Sequence, residues 1–363
     1  MKFRVKARAR PKSIGRMVSS ENLSLALDYI MSKQIRKLLH ITLGATIKSK
    51  FLNGPLHLVV EPTSLCNARC ALCSTPSEKL ERSLKFLPLN KYKEIIDKTK
   101  SYVRNVTFFV AGEPFVNVNL CKMIDYATRN GLRTFISTNG TLLNRQTISE
   151  ILETNLDELY ICLDGARKES HEIYKKGTNF ELICSNIRAL TLEKRIRKKR
   201  FPYTFIQTLI TRYNEYELDD VVKLGKKLGV DGVFFKTFCI EKGYNEDLAK
   251  KFIPRRRRLS RYEVVNGKVK LQEERDLKCG YTRTALVLCD GRLALCCYDF
   301  NGEYDIGNAF SESIDELWKS EKYKDLRKKM KRKEFEMCKE MCGAEAKRAS
   351  RRILDTQERL GIT

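Results

Sequence analysis

The chain has 363 residues, 42% of them hydrophobic, enough to bury a barrel-sized core and a smaller second unit. Its formal charge is +25, from 70 Lys and Arg against 45 Asp and Glu, so an acidic partner is expected: nucleic acid, anionic lipid headgroups or a phosphorylated substrate. No run approaches the roughly 18 uncharged apolar residues of a membrane span, and no apolar core follows the basic N-terminus MKFRVKARARPKSIGRM, so the sequence reads as cytoplasmic.

Residues 1–55 read as a basic arm followed by an amphipathic helix from about 23 to 51. Leu27, Ile30, Met31, Ile35, Leu38, Leu39, Ile47, Phe51 and Leu52 form its apolar face among Lys33, Arg36, Lys37, Lys48 and Lys50. Such a helix either lies on an anionic membrane surface or packs across the next domain. Over 56–240, strand-like runs at 56–60, 106–111, 133–138, 158–163, 204–210 and 232–238 alternate with helical patterns. That alternation predicts a partial (β/α)6 TIM-like barrel of the α/β class, with its chemistry at the C-terminal strand ends. Before strand six, Asn214-Glu215-Tyr216-Glu217 reads as a capping box, Val221, Val222, Leu224 and Leu228 as an apolar face, and Gly229 as the stop.

Residues 241–278 read as a connecting segment. Over 279–345 a small unit is expected: TALVLC and RLALCCY flank Asp290-Gly291, a hairpin signal, and a helix over 311–335 precedes Cys338 and Cys342. Residues 346–363 read as a basic C-terminal helix. The basic runs at 194–200, 255–258 and 327–333 read as solvated faces; no nucleic-acid motif with interleaved aromatics is present, so nucleic acid is not the expected partner.

The 13 cysteines fall mostly into spaced clusters in a long chain without a signal sequence, which favours metal ligation over disulfides. Cys66, Cys70 and Cys73 make a C-x3-C-x2-C array just after the first strand. A structural zinc site takes four ligands, whereas a four-iron cluster on three thiolates keeps one iron open to another molecule.

Three further loops accompany the triad: Ala111-Gly112-Glu113-Pro114 after strand two, Ser137-Thr138-Asn139-Gly140 after strand three, and Leu163-Asp164-Gly165 after strand four. In this order they resemble the radical S-adenosylmethionine (SAM) superfamily. The resemblance implies a cluster on Cys66, Cys70 and Cys73, with SAM contacted by Gly112, Glu113, Pro114, Ser137, Asn139 and Asp164. Cys162 stands where relatives place a ribose-contacting serine, Lys175 and Lys176 where they place a carboxylate-binding arginine, and Leu72 where an aromatic is usual. Further on, Cys279, Gly291, Cys296, Gly307-Asn308, Leu317-Trp318, Cys338 and Cys342 resemble the SPASM extension, which holds auxiliary clusters. Only six cysteines lie at or beyond 279, too few for the seven of a two-cluster extension. The resemblance therefore implies one auxiliary four-iron cluster on Cys279, Cys296, Cys338 and Cys342, the Twitch arrangement. Cys297 adjoins Cys296 on a strand, so only one of the two can ligate. Cys289 reads as a small buried hydrophobe.

The activity so implied is reductive cleavage of SAM to a 5′-deoxyadenosyl radical that takes hydrogen from a substrate C–H, with an electron donor such as ferredoxin or flavodoxin. Lys236, Glu241 and Asp299 are the candidate proton acceptors at the barrel mouth. A sugar, cyclitol or lipid-headgroup substrate near an anionic membrane is the leading expectation. The alternative is a peptide- or protein-modifying maturase, against which the roughly 55 residues before the barrel are short for a winged-helix peptide-recognition domain. A non-catalytic RNA-binding iron–sulfur protein is the third reading.

Overall fold

The computed structural model describes residues 28–31, 34, 37, 54–75, 80–83, 85–241, 243–272, 279–342 and 352–353. Strands β1 (His57–Val60), β2 (Asn105–Phe108), β3 (Arg133–Thr138), β4 (Glu158–Cys162), β5 (Tyr203–Ile210) and β6 (Gly232–Thr237) pair in chain order, all parallel, as the alternating sequence pattern predicts. Helices α1 (Leu89–Thr99), α2 (Leu120–Arg129), α3 (Arg145–Glu153), α4 (Lys168–Glu172), α5 (Phe180–Ile196), α6 (Leu218–Leu228) and α7 (Glu246–Phe252) connect or follow them. Side chains alternate along each strand, so Leu159, Ile161, Ile206 and Val233 join Ile151, Ile187, Leu190 and Leu228 of the helices in one buried core.

Asparagines start three helices. The side chains of Asn144, Asn179 and Asn245 accept the N–H of Thr147, Leu182 and Leu248 at 2.9, 2.7 and 2.8 Å. The capping box expected at 214–217 does not form. Glu217 is the N-cap without a side-chain cap bond, because Asn214 is spent on the Asp164 and Leu209 carbonyls and Glu217 on the Ala166 N–H and Ser170 hydroxyl. Gly229 ends α6 in the left-handed conformation, as expected.

The connecting segment is more ordered than expected. It holds α7 and a hairpin of β7 (Tyr262–Val265) and β8 (Lys268–Leu271), turned at Asn266-Gly267. The C-terminal hairpin does not stand apart from the barrel: β9 (Thr284–Val287) pairs parallel to β1 and β10 (Leu293–Ala294) antiparallel to β9. The helix expected over 311–335 is two, α8 (Ile314–Lys319) and α9 (Glu321–Lys331), broken at Ser320, whose hydroxyl accepts the Tyr323 N–H at 3.3 Å. A π-helical turn, Met337–Cys342, follows. In place of the expected C-terminal helix, Arg352–Ile353 forms β11, antiparallel to β6; the rest of 346–363 lies outside the described residues.

Of the expected N-terminal helix, the described residues pack across the N-terminal ends of β3 to β5. Tyr29 stacks on Phe201 at 5.2 Å and donates to Asp157 at 2.6 Å. Lys37, expected on the polar face, is buried and paired with Asp157 at 2.5 Å, while Ile30 and Met31, expected on the apolar face, are exposed. The reason is the unpaired carboxylate that Asp157 would otherwise leave in the barrel floor. The remainder of 23–51 lies outside the described residues.

Candidate active site

The barrel lumen is layered. Near its base Arg133 pairs with Glu158 at 2.5 Å; above them Tyr160 stacks on Phe205 at 5.2 Å and meets Phe234 edge-on at 6.1 Å. These rings close the lumen from below. Over them lies a polar layer in which Gln207 Nε2 donates to Ser137 Oγ at 3.3 Å and Cys162 Sγ at 3.4 Å. The site is therefore open at the C-terminal strand ends, where the barrel rule places chemistry.

Cys66, Cys70 and Cys73 lie there, free of disulfides, on the loop after β1. The loop is held by backbone bonds: Arg69 N–H to Lys176 C=O at 2.7 Å and Ala71 N–H to Tyr174 C=O at 2.9 Å. The three thiols are near enough to raise one another's pKa; burial is the larger cause, and Cys73, with Glu241 also beside it, is pushed up to about 12. Among the described residues no three His, Cys, Asp or Glu side chains converge on the position of a single metal ion. A four-iron cluster, which takes one thiolate per iron, spaces its ligands more widely, and three thiols on one loop suit it.

Glu113 joins the next two loops. Its buried carboxylate accepts from the Thr138 hydroxyl at 2.6 Å, the Asn139 N–H at 2.7 Å and the Phe115 N–H at 3.3 Å, so its side chain ties the second loop to the third. Gly112 has φ +76°, and a Cβ there would stand 2.3 Å from the Thr63 carbonyl oxygen, which is why the loop can lie against the cysteine loop. Pro114 starts a 3-10 turn, and Asn139 Nδ2 donates to Asn67 Oδ1 at 2.8 Å, tying the third loop to the cysteine loop.

Of the lysine pair, Lys175 enters the site and Lys176 is exposed. Lys175 Nζ is 3.7 Å from Asp164 Oδ2, with Cys70 and Cys162 nearby; burial opposes its charge, but these neighbours outweigh it and hold it protonated. His171 Nδ1 accepts the Asp164 N–H at 2.9 Å, and burial drops the His171 pKa to about 3, so the ring is neutral and its Nε2–H faces Thr178 Oγ1 at 3.0 Å.

The three candidate proton acceptors separate. Lys236 is exposed on the lumen wall, where its charge acts on Asp164, Cys239 and Cys297. Glu241 instead accepts the Ser74 N–H at 2.7 Å, bracing the cysteine loop. Asp299 is not brought to the barrel mouth: its oxygens accept the Leu295 and Glu303 N–H groups, both at 2.7 Å, within the C-terminal extension. In that extension Cys296 is buried and feels Cys338 and Cys342, and Cys338 feels Cys279. Cys297 is exposed, and Tyr281, Cys342, Cys239 and Lys236 are near enough to act on its thiol.

Sequence reading missed Glu61 and Arg82. Glu61, fully buried at the end of β1, pairs with Arg82 at 2.5 Å and accepts the Ala111 and Cys289 N–H groups at 3.1 and 3.0 Å. Arg82 also donates to the Phe300 carbonyl at 2.7 Å, so one ion pair joins the cysteine loop, the Gly112 loop and the extension. Nothing local marks either residue; Glu61 only stands at a strand end.

Residues 60–225 match the radical SAM superfamily and residues 279–343 match SPASM, an iron–sulfur cluster-binding domain. The chain is 28% identical over 178 residues to the AdoMet-dependent heme synthase of Methanosarcina barkeri, covering 49% of each protein. It is 26% identical over 177 residues to the PqqA peptide cyclase of Bradyrhizobium diazoefficiens, covering 49% of this chain and 45% of that protein. With the antilisterial bacteriocin subtilosin biosynthesis protein AlbA of Bacillus subtilis it shares 24% identity over 311 residues, 81% of this chain and 67% of AlbA. The chain thus spans about half the length of the first two of these relatives. Streptococcus suis SuiB bound to precursor peptide SuiA superposes with a TM-score of 0.58 at 13% identity, over 85% of this chain and 80% of SuiB, which shows a shared fold. The two matched domains coincide with the three-thiol loop of the barrel and the four-thiol group of the extension: the chain belongs to the radical SAM superfamily and carries a C-terminal SPASM iron–sulfur domain.

Proposed function

We propose that the protein is a radical SAM enzyme that modifies a peptide. The observation that carries the chemistry is the convergence of three free thiols with Lys175 and Asp164 at the C-terminal end of the barrel. Cys66, Cys70 and Cys73 would hold the SAM-binding four-iron cluster, and Cys279, Cys296, Cys338 and Cys342 one auxiliary cluster. When bound, the first cluster and SAM supply a 5′-deoxyadenosyl radical able to take hydrogen from an unactivated C–H. The protein's own residues position and exclude. Lys175 offers a cation to the SAM carboxylate, without the paired contacts of an arginine. Ser137, Cys162 and Gln207 present polar groups to the ribose side, and the ring floor of Tyr160, Phe205 and Phe234 keeps water from entering below. Of the three candidate proton acceptors Lys236 is the one left on the lumen wall, since Glu241 and Asp299 are engaged elsewhere, and it would accept a proton only in its neutral form.

A peptide substrate is supported by the PqqA peptide cyclase and by AlbA, whose match extends over both domains. The sugar, cyclitol or lipid-headgroup expectation has no such support, while the heme synthase and the Fe-coproporphyrin III synthase of Methanosarcina barkeri are relatives that point away from peptides. Anaerobic reconstitution with iron and sulfide tests the chemistry. The wild-type protein should hold about eight iron atoms and convert SAM to 5′-deoxyadenosine once reduced, and the C66A/C70A/C73A variant about four with no conversion. Unchanged turnover in that variant would overturn the assignment.

A further inference from the structure

The arginine run at 255–258 does not lie on a remote solvated face. Arg212 N–H donates to the Phe252 carbonyl at 2.9 Å, and Glu215, buried after β5, accepts the Arg255 and Arg256 N–H groups at 3.2 and 2.8 Å. These bonds fasten the run to the loop at the C-terminal end of β5, the catalytic end. The Arg256 guanidinium lies 4.2 Å over the ring of Tyr216, which is 67% exposed. Tyr213, 40% exposed, meets Phe252 at 5.4 Å; Phe252 meets Tyr174 at 5.2 Å; and the Tyr174 carbonyl accepts from Ala71 between the cluster cysteines. A continuous chain of ring contacts thus joins this surface to the SAM site.

Arg255 and Arg258 are exposed, and among the described residues neither is ion-paired, whereas Arg257 turns to Glu263 at 3.3 Å. We infer that Arg212, Arg255, Arg256 and Arg258, with Tyr213 and Tyr216, form a docking platform for an acidic segment of the peptide substrate at the rim of the barrel mouth. The inference rests on the peptide reading above and names the substrate's charge. An acidic peptide is favoured by charge complementarity and by arginine's paired contacts to carboxylates. Fixing the backbone through Glu215 removes part of the ordering cost of binding, and the platform's position would deliver the chain beyond the acidic segment into the lumen.

Fluorescence anisotropy with a labelled oligoglutamate peptide on the cluster-loaded, full-length protein tests the platform. Affinity should fall as salt rises, and the R255A/R256A/R258A variant should weaken it by about tenfold or more. Tyr216→Ala should weaken it less, through Arg256 alone. Lys198→Ala with Lys199→Ala, at the opposite end of the barrel, should leave binding unchanged; circular dichroism and iron content establish that every variant is folded and loaded. Undiminished binding in the arginine variant, an equal loss in the lysine variant, or tighter binding of a single-stranded oligonucleotide of equal length would each overturn the proposal. Because the assay needs no turnover, failure of the platform leaves SAM cleavage intact, while failure of the radical reading leaves arginine-dependent binding intact.

Discussion

Arg82→Met tests whether one buried ion pair couples the cysteine loop to the extension. The Glu61 carboxylate is fully buried and takes three donors, the Arg82 guanidinium and the N–H groups of Ala111 and Cys289. Methionine replaces the arginine's volume but strands the carboxylate, and breaking a buried pair from one side costs about 3–5 kcal/mol. With an unfolding entropy of about 2.1 cal/mol/K per residue, a chain of 363 residues has roughly 0.8 kcal/mol/K, so the expected fall in Tm is about 4–7 °C. The Phe300 carbonyl loses its donor as well, so the extension should loosen from the barrel and become more sensitive to limited proteolysis. The E61Q/R82M double variant removes the stranded charge and should recover at least half of the loss. Tm would be followed by circular dichroism under anaerobic conditions, in proteins matched for iron content. A fall of less than about 1 °C in Arg82→Met, or a double variant whose loss equals the sum of the single losses, would refute the reasoning.

Lys175→Ala should weaken SAM binding by about 10- to 150-fold, the worth of a charge-assisted contact, while Lys176→Ala leaves it unchanged; equilibrium binding to the reconstituted protein distinguishes the two, and equal effects would remove Lys175 from the site. Cys296→Ala should lower iron from about eight to about four per chain, whereas Cys297→Ala should keep all of it; the reverse pattern would make Cys297 the ligand. Burial raises the Asp299 pKa to about 6, above the usual range near 4, so the folded state holds the extra proton and loses stability as pH rises through that window. Asp299→Asn does not titrate, so the wild-type Tm minus the variant Tm should shrink between about pH 4 and pH 6; a pH-independent difference would mean the carboxylate is charged throughout.

The strands, the cysteine triad and the three turn loops were legible because each is local. Periods of two and 3.6 show in any window, and Cys66, Cys70 and Cys73 lie within eight residues on a single loop. The strand starts and ends agree to within a few residues for the same reason, and Gly229 stops its helix through its own backbone freedom. What failed was whatever depended on a partner distant in sequence. The capping box at 214–217 was lost because Asn214 finds the Asp164 carbonyl, 50 residues away. Lys37 belongs to the barrel floor only because Asp157 is there, and Asp299 left the list of acid–base candidates because the turn it sits in folds back on it. The joining of β9 to β1, 227 residues apart at His57 and Thr284, has no local signal at all, since an edge strand's bare N–H and C=O groups accept any strand that packing delivers. The sequence alone thus determined the chemistry of the ligands and the order of the βα units; tertiary structure alone decided which charges are buried as pairs, which lysine faces the thiols, and that the extension and the barrel share one sheet, because those outcomes are set by burial between elements far apart in the chain.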